Sequence, residues 1–128
     1  MRLDPDTVEV LQPWFPGMAI SEVRLVSNGP VCWFVRRVLG QGAMTIAPFI
    51  FFGRARFDST NLASVALVAH ELAHIEQYRR YGHTRFLLRY LRDLAGNRFR
   101  YSRELPLEVE CYALQATVAA ALRTRLDA

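Results

Sequence analysis

Apolar residues follow two rhythms along this chain. From Leu62 to Ile75 they occupy nearly every side of a helix: Ala63, Val65, Ala66, Leu67, Val68, Ala69, Leu72 and Ala73 all fall between those ends. A helix that is apolar all round is a buried one. Ser59, Thr60 and Asn61 offer side chains to cap its start, and Gly82 is a natural stop. Thr84 is placed to cap a second helix, Arg85 to Ala95. There Leu87, Tyr90, Leu91 and Leu94 form one stripe, Arg85, Arg89 and Arg92 face elsewhere, and Gly96 ends the run. A polar connection from Asn97 to Arg103 leads to Pro106, which a first helical turn tolerates, and a last helix extends from Leu107 to about Leu126.

The N-terminal half has a shorter rhythm. Asp4 before Pro5 reads as an N-cap followed by proline at the first helical position, and a short helix runs to Gln12, where Pro13 stops it. Glu22 to Val26 alternates as a strand does and is closed by the turn Ser27-Asn28-Gly29-Pro30. Val31 to Leu39 fits either helix or strand, and Gly40-Gln41-Gly42 breaks it. Ala43 to Phe52 is rich in β-formers but contains Pro48. Proline cannot donate to a ladder, so this segment is an edge strand or two strands meeting at a tight bend. The pattern predicts a mostly helical α+β domain with a small sheet near the N-terminal half. Without internal repeats or linkers, the 128 residues fit one domain over 1–128, long enough to bury a core without disulfides.

Composition then removes several classes. With 52% hydrophobic residues the chain is not disordered by composition. No apolar run approaches the ~20 residues of a membrane span. Met1 to Asp6 shows no apolar stretch of a signal peptide, so the expected location is cytoplasmic. Cys32 and Cys111 are too few for a disulfide framework and form no Cys-x-x-Cys pair, so they are expected as buried thiols rather than zinc ligands. The net charge is +4, and all 16 basic residues are arginine. Eight of them lie between Arg79 and Arg103, with Asp93 the one acid. That excess suits a solvated face beside a site, or a surface for an acidic partner, an anionic membrane or nucleic acid.

The chemistry sits on the buried helix, in His70-Glu71-Leu72-Ala73-His74. Four residues is about one turn, so both imidazoles reach one ion from the same face. Glu71 is turned about 100° from them, near the ion without ligating it, where it can take a proton from a zinc-activated water. Such histidines interrupt an apolar helix, where an unpaired polar side chain costs free energy. A catalytic zinc takes three protein ligands and leaves one position open. A third histidine six residues after His74 is excluded, because Arg80 stands there and Tyr78 replaces the glycine of that pattern. The remaining histidine, His83, lies just past Gly82. A carboxylate from the last helix is the alternative, with Glu104, Glu108 and Glu110 as candidates. Glu108 is selected because Tyr112, one turn on, shares its face and can bond the ligand shell, whereas Glu110 points nearly opposite. The competing reading is a pair of core histidines hydrogen-bonded to Glu108 or to backbone.

Val65 to Gly82, together with Arg85 to Leu91, Pro106 to Ala113 and the strand-rich Gly42 to Phe52, resembles the small bacterial gluzincin-type metallopeptidases, which include the metallopeptidase-like core domain of extracellular contractile injection systems. The resemblance covers roughly residues 20–118. It implies a minimal zincin fold: a small N-terminal sheet, a metal-binding helix, a connecting helix and a third-ligand helix. It further implies zinc on His70, His74 and Glu108, Glu71 as general base, and a peptide or protein substrate laid along Ala43 to Phe52. Two positions depart from related peptidases. Tyr112 stands where an aspartate follows the ligand glutamate, and Glu76 replaces an apolar residue after the second histidine. Three functions remain in view: a zinc endopeptidase, a catalytically silent zinc-binding module, and a binder of nucleic acid or anionic surfaces through the arginine segment.

Overall fold

The structure, a computed structural model, describes residues 1–127. Helix α1, Pro5–Leu11, starts as expected: Asp4 accepts from the Thr7 backbone N–H at 3.1 Å. Pro13 does not end the spiral abruptly, because Gln12–Trp14 continues as one 3-10 turn. The strand expected from Glu22 begins later. Ile20–Glu22 is a 3-10 turn, and β1 covers only Arg24–Val26. The ambiguous segment is helical: α2, Pro30–Phe34, opens with proline in its first turn and runs on through a π-helical turn, Val35–Leu39. Its β-branched and aromatic residues favour strands in isolation, but local propensity yields to the start that Gly29-Pro30 imposes.

The segment containing Pro48 is two strands, β2 (Ala43–Ile46) and β3 (Phe49–Phe52), meeting at a cis Ala47-Pro48 bond. The sheet order is β1-β3-β2, with β1 parallel and β2 antiparallel to β3. Both Leu25 and Thr45 register with Ile50, which is fully buried at the centre of the sheet. Strand β2 is an outer strand, and among the described residues no strand pairs with its far side.

Helix α3, Leu62–Tyr81, matches its expected limits, with Asn61 accepting from the Ser64 N–H at 3.1 Å. It packs most extensively on α5, Pro106–Asp127, and also on β2 and α4, His83–Gly96. Its all-round apolar character is thereby explained: Val68, Ala69 and Leu72 join a cluster that includes Leu25, Ile50 and Phe52 of the sheet and Cys111 and Val118 of α5. Thr84 is not a cap. Gly82, at φ 82°, ends α3 and itself begins α4, with no side-chain cap. The stripe on α4 is also shifted. Phe86 is its buried residue, with Tyr90 half-buried, while Leu87 and Leu91 are exposed.

Gly53, just after β3, fixes the approach of α2 to the sheet. A Cβ there would stand 2.5 Å from the Gln41 carbonyl oxygen and 2.7 Å from a methyl of Val35. Gly53→Ala is therefore expected to destabilise the protein by about 1–3 kcal/mol, through forced displacement of backbone and core. Urea denaturation of the purified variant measures it.

Candidate metal centre

The geometry follows from α3 lying against α5. His70 and His74 stack one turn apart, ring centroids 5.1 Å from each other, and both are buried. From α5, Glu108 Oε1 stands 3.0 Å from His70 Nε2 and 3.1 Å from His74 Nε2. Glu108 is buried, while Glu110 turns outward and pairs with Arg80, as the helical spacing requires. Glu104 is exposed and bonds Ser102.

The outer ring nitrogens decide what the inner ones can do. Gln77 Nε2 donates to the Leu107 carbonyl at 2.9 Å, so its oxygen must face His74 Nδ1, 3.0 Å away. A carbonyl oxygen only accepts, which places a proton on Nδ1 and leaves Nε2 with its lone pair in the neutral ring. Gln115 Oε1 meets His70 Nδ1 at 3.0 Å, a contact that gives His70 the same tautomer when the amide oxygen faces the ring. Two Nε2 lone pairs and a carboxylate oxygen thus converge on one another. Three acceptors cannot remain so placed without a proton or a cation among them.

In the metal-free protein a proton serves. Burial works against ionisation of Glu108, but its contacts with His70, His74 and Tyr90 outweigh it and hold the carboxyl well below its usual range. Burial opposes protonation of His74 too, yet contacts with Cys111 and Glu108 raise it well above the ordinary histidine value. Of those two partners Glu108 is the anion, because burial pushes the Cys111 thiol up and keeps it protonated at neutral pH. The donor set also suits a metal ion. Imidazole nitrogens and a carboxylate are the ligands of His₂Glu zinc sites, and each imidazole already donates its second N–H, as ligating histidines do.

Cys111, expected as a buried thiol rather than a ligand, is buried but also brings a further donor beside the histidines. Its Sγ lies 3.5 Å from His74 Nδ1, one turn beyond Glu108. The donor atoms of His70, His74 and Cys111 all fall within 4.8 Å of one another, so this buried group could hold a metal ion. Cys32, by contrast, is buried beside the Val26 carbonyl, and both thiols are free.

Glu71 occupies the neighbouring face of α3. It is buried, and its Oε2 accepts from Thr45 Oγ1 of β2 at 2.5 Å. Tyr78 ties the same strand down, donating to the Thr45 carbonyl at 3.2 Å, with burial raising its hydroxyl to about 12. Tyr112 packs its ring edge-on against His70 at 4.4 Å, while its hydroxyl meets that of Tyr101. The hydroxyl that reaches the candidate ligand is that of Tyr90 on α4, which donates to Glu108 Oε2 at 2.7 Å. Burial, then the Glu108 charge, push Tyr90 up, so it remains a donor. His83 stands apart, donating from Nε2 to the Ala47 carbonyl at 2.9 Å.

Tyr90→Phe removes the hydroxyl that donates to Glu108 Oε2. Metal affinity is expected to fall about 10–100-fold, the usual effect of losing such a supporting bond. Competition titration against a chromophoric chelator reads it.

A family model described as the eCIS core domain matches residues 2–82, which spans α1 to the end of α3 and includes His70, Glu71 and His74. Glu108, Tyr90, Cys111 and Gln115 lie beyond the matched segment. No curated protein and no solved structure matches the chain. With well over half its length matched and two buried histidines one turn apart on the last matched helix, the chain belongs to the eCIS core domain family, metallopeptidase-like domains of extracellular contractile injection systems.

Proposed function

We propose that this protein is a zinc-dependent peptidase of zincin type, with zinc held by His70, His74 and Glu108 and with Glu71 as general base. The observation that carries the reading is the convergence of both Nε2 atoms on Glu108 Oε1, each ring fixed from behind by a glutamine oxygen. Bound there, zinc would polarise the scissile carbonyl and make a water nucleophilic near neutral pH. The chain supplies the rest. Glu71 takes the proton of the attacking water and passes it to the leaving nitrogen. Thr45 holds that carboxylate through Oε2, which leaves Oε1 as the working atom. An extended peptide adds to the far side of β2, so that backbone hydrogen bonds bring a carbonyl above α3. About one zinc per purified chain, together with chelator-sensitive cleavage of a peptide library, is the result that supports this reading. Metal-loaded protein that cleaves nothing rejects the peptidase.

A second reading is a catalytically silent zinc module. It is favoured by the burial of Glu71 and its short bond to Thr45, which keep the carboxylate engaged within the fold. It predicts zinc, a melting temperature lowered by chelator, and no hydrolysis.

A further inference from the structure

Helix α4 has a face that neither the core nor the metal centre uses. At about 100° per residue it divides into three lengthwise stripes. Phe86, Tyr90 and Asp93 turn inward: Phe86 is buried, Tyr90 reaches Glu108, and the Asp93 side chain is only 11% exposed. Beside them Leu87, Leu91 and Leu88 form a continuous apolar stripe whose members are 44%, 54% and 62% exposed. Beyond that stripe come Arg92, Arg85 and Arg89, all exposed. The one acid between Arg79 and Arg103 sits at the inner edge of α4, where it pairs with Arg92 at 3.4 Å, so the outward surface of α4 carries leucine beside Arg85 and Arg89, which have no carboxylate partner among the described residues. Only Arg89 has a partner ring, its guanidinium lying 4.8 Å from the centroid of Tyr81.

We propose that this face of α4 binds an anionic lipid surface, with Leu87, Leu88 and Leu91 entering the headgroup–acyl boundary and Arg85, Arg89 and Arg92 meeting lipid phosphates. Leucines beside arginines along one helix are the composition of an interfacial helix: the apolar stripe supplies burial and the cations supply attraction to negative headgroups. Arginine stems extend along the apolar boundary while their heads stay in the phosphate layer. Nucleic acid fits less well, because a phosphate backbone meets the arginines but gives three adjacent leucines no apolar partner. The helix does not span the bilayer, since no described helix is long and apolar enough to cross a membrane.

The test is co-sedimentation of the full chain with vesicles of phosphatidylglycerol in phosphatidylcholine, against pure phosphatidylcholine, at low and high salt. Binding only to the anionic vesicles, weakened by salt, is expected. Leu88→Asp with Leu91→Asp is expected to abolish it, while circular dichroism and melting temperature stay unchanged, because both positions are exposed. Arg85→Ser and Arg92→Ser should each weaken binding about fivefold. Absence of binding to anionic vesicles at low salt overturns the proposal. So does binding that the aspartate pair leaves intact, or a duplex oligonucleotide bound equally by wild type and aspartate pair. Concentration-dependent dimerisation in lipid-free sedimentation that the aspartate pair removes would assign the stripe to a second copy and also overturn it.

Discussion

Glu71→Gln is expected to lower peptide hydrolysis about 10²–10⁴-fold while zinc content stays at the wild-type level. The substitution is nearly isosteric, and a glutamine oxygen can still accept from Thr45 Oγ1, as Oε2 does now. Burial of the side chain against β2 is therefore kept, and neither histidine is touched. What disappears is the capacity to take a proton from water. Steady-state cleavage of a quenched peptide, run beside metal analysis of the same preparation, separates the two properties. Equal cleavage by variant and wild type removes Glu71 from the mechanism. Loss of zinc along with activity would instead make Glu71 part of the metal shell. If neither protein cleaves while both hold zinc, the silent module is the correct reading.

Much of the frame could be read before any coordinates, and the reasons differ by element. Helix α3 was legible at both ends because its boundaries are local chemistry: Asn61 caps a backbone N–H and Gly82 takes a positive φ. That Glu108 and Glu110 take opposite faces was legible because helical spacing turns one inward when the other faces out; Glu108 meets the histidines and Glu110 pairs with Arg80 at the surface. The supporting groups were not legible. Tyr90, Gln77 and Gln115 act through contacts 18 to 45 residues away or through the precise tilt of one helix on another. Tyr112 shows the same limit: spacing put it on the right face, but the distance from α4 decided that Tyr90 reaches Glu108 instead. On α4 the apolar pattern was broader than the core needed. Periodicity marked Leu87 and Leu91 as inward, whereas packing chose Phe86 and left the leucines in solvent.

Cys111 is buried as expected, but its place beside the histidines makes it a rival to Glu108, and the two make opposite predictions. Glu108→Gln keeps volume and can still accept from Tyr90, but loses the charge that holds His70 and His74 together. In the metal-free protein this breaks a buried ion pair, a loss of about 3–5 kcal/mol. At roughly 3–6 °C per kcal/mol for a domain of this size, the melting temperature should fall by more than about 10 °C. Zinc binding should fall below one ion per chain. Cys111→Ser should leave zinc content unchanged, for two reasons. The thiol sits at His74 Nδ1, the nitrogen that Gln77 already occupies, and Gln77 is locked in that orientation by the Leu107 carbonyl. Ligation by sulfur also requires a thiolate, and burial pushes the Cys111 thiol up, whereas Glu108 is already ionised. Metal analysis and thermal melts of both variants decide the matter. Zinc retained in Glu108→Gln but lost in Cys111→Ser would transfer the third ligand to sulfur, giving a site built from His70, His74 and Cys111.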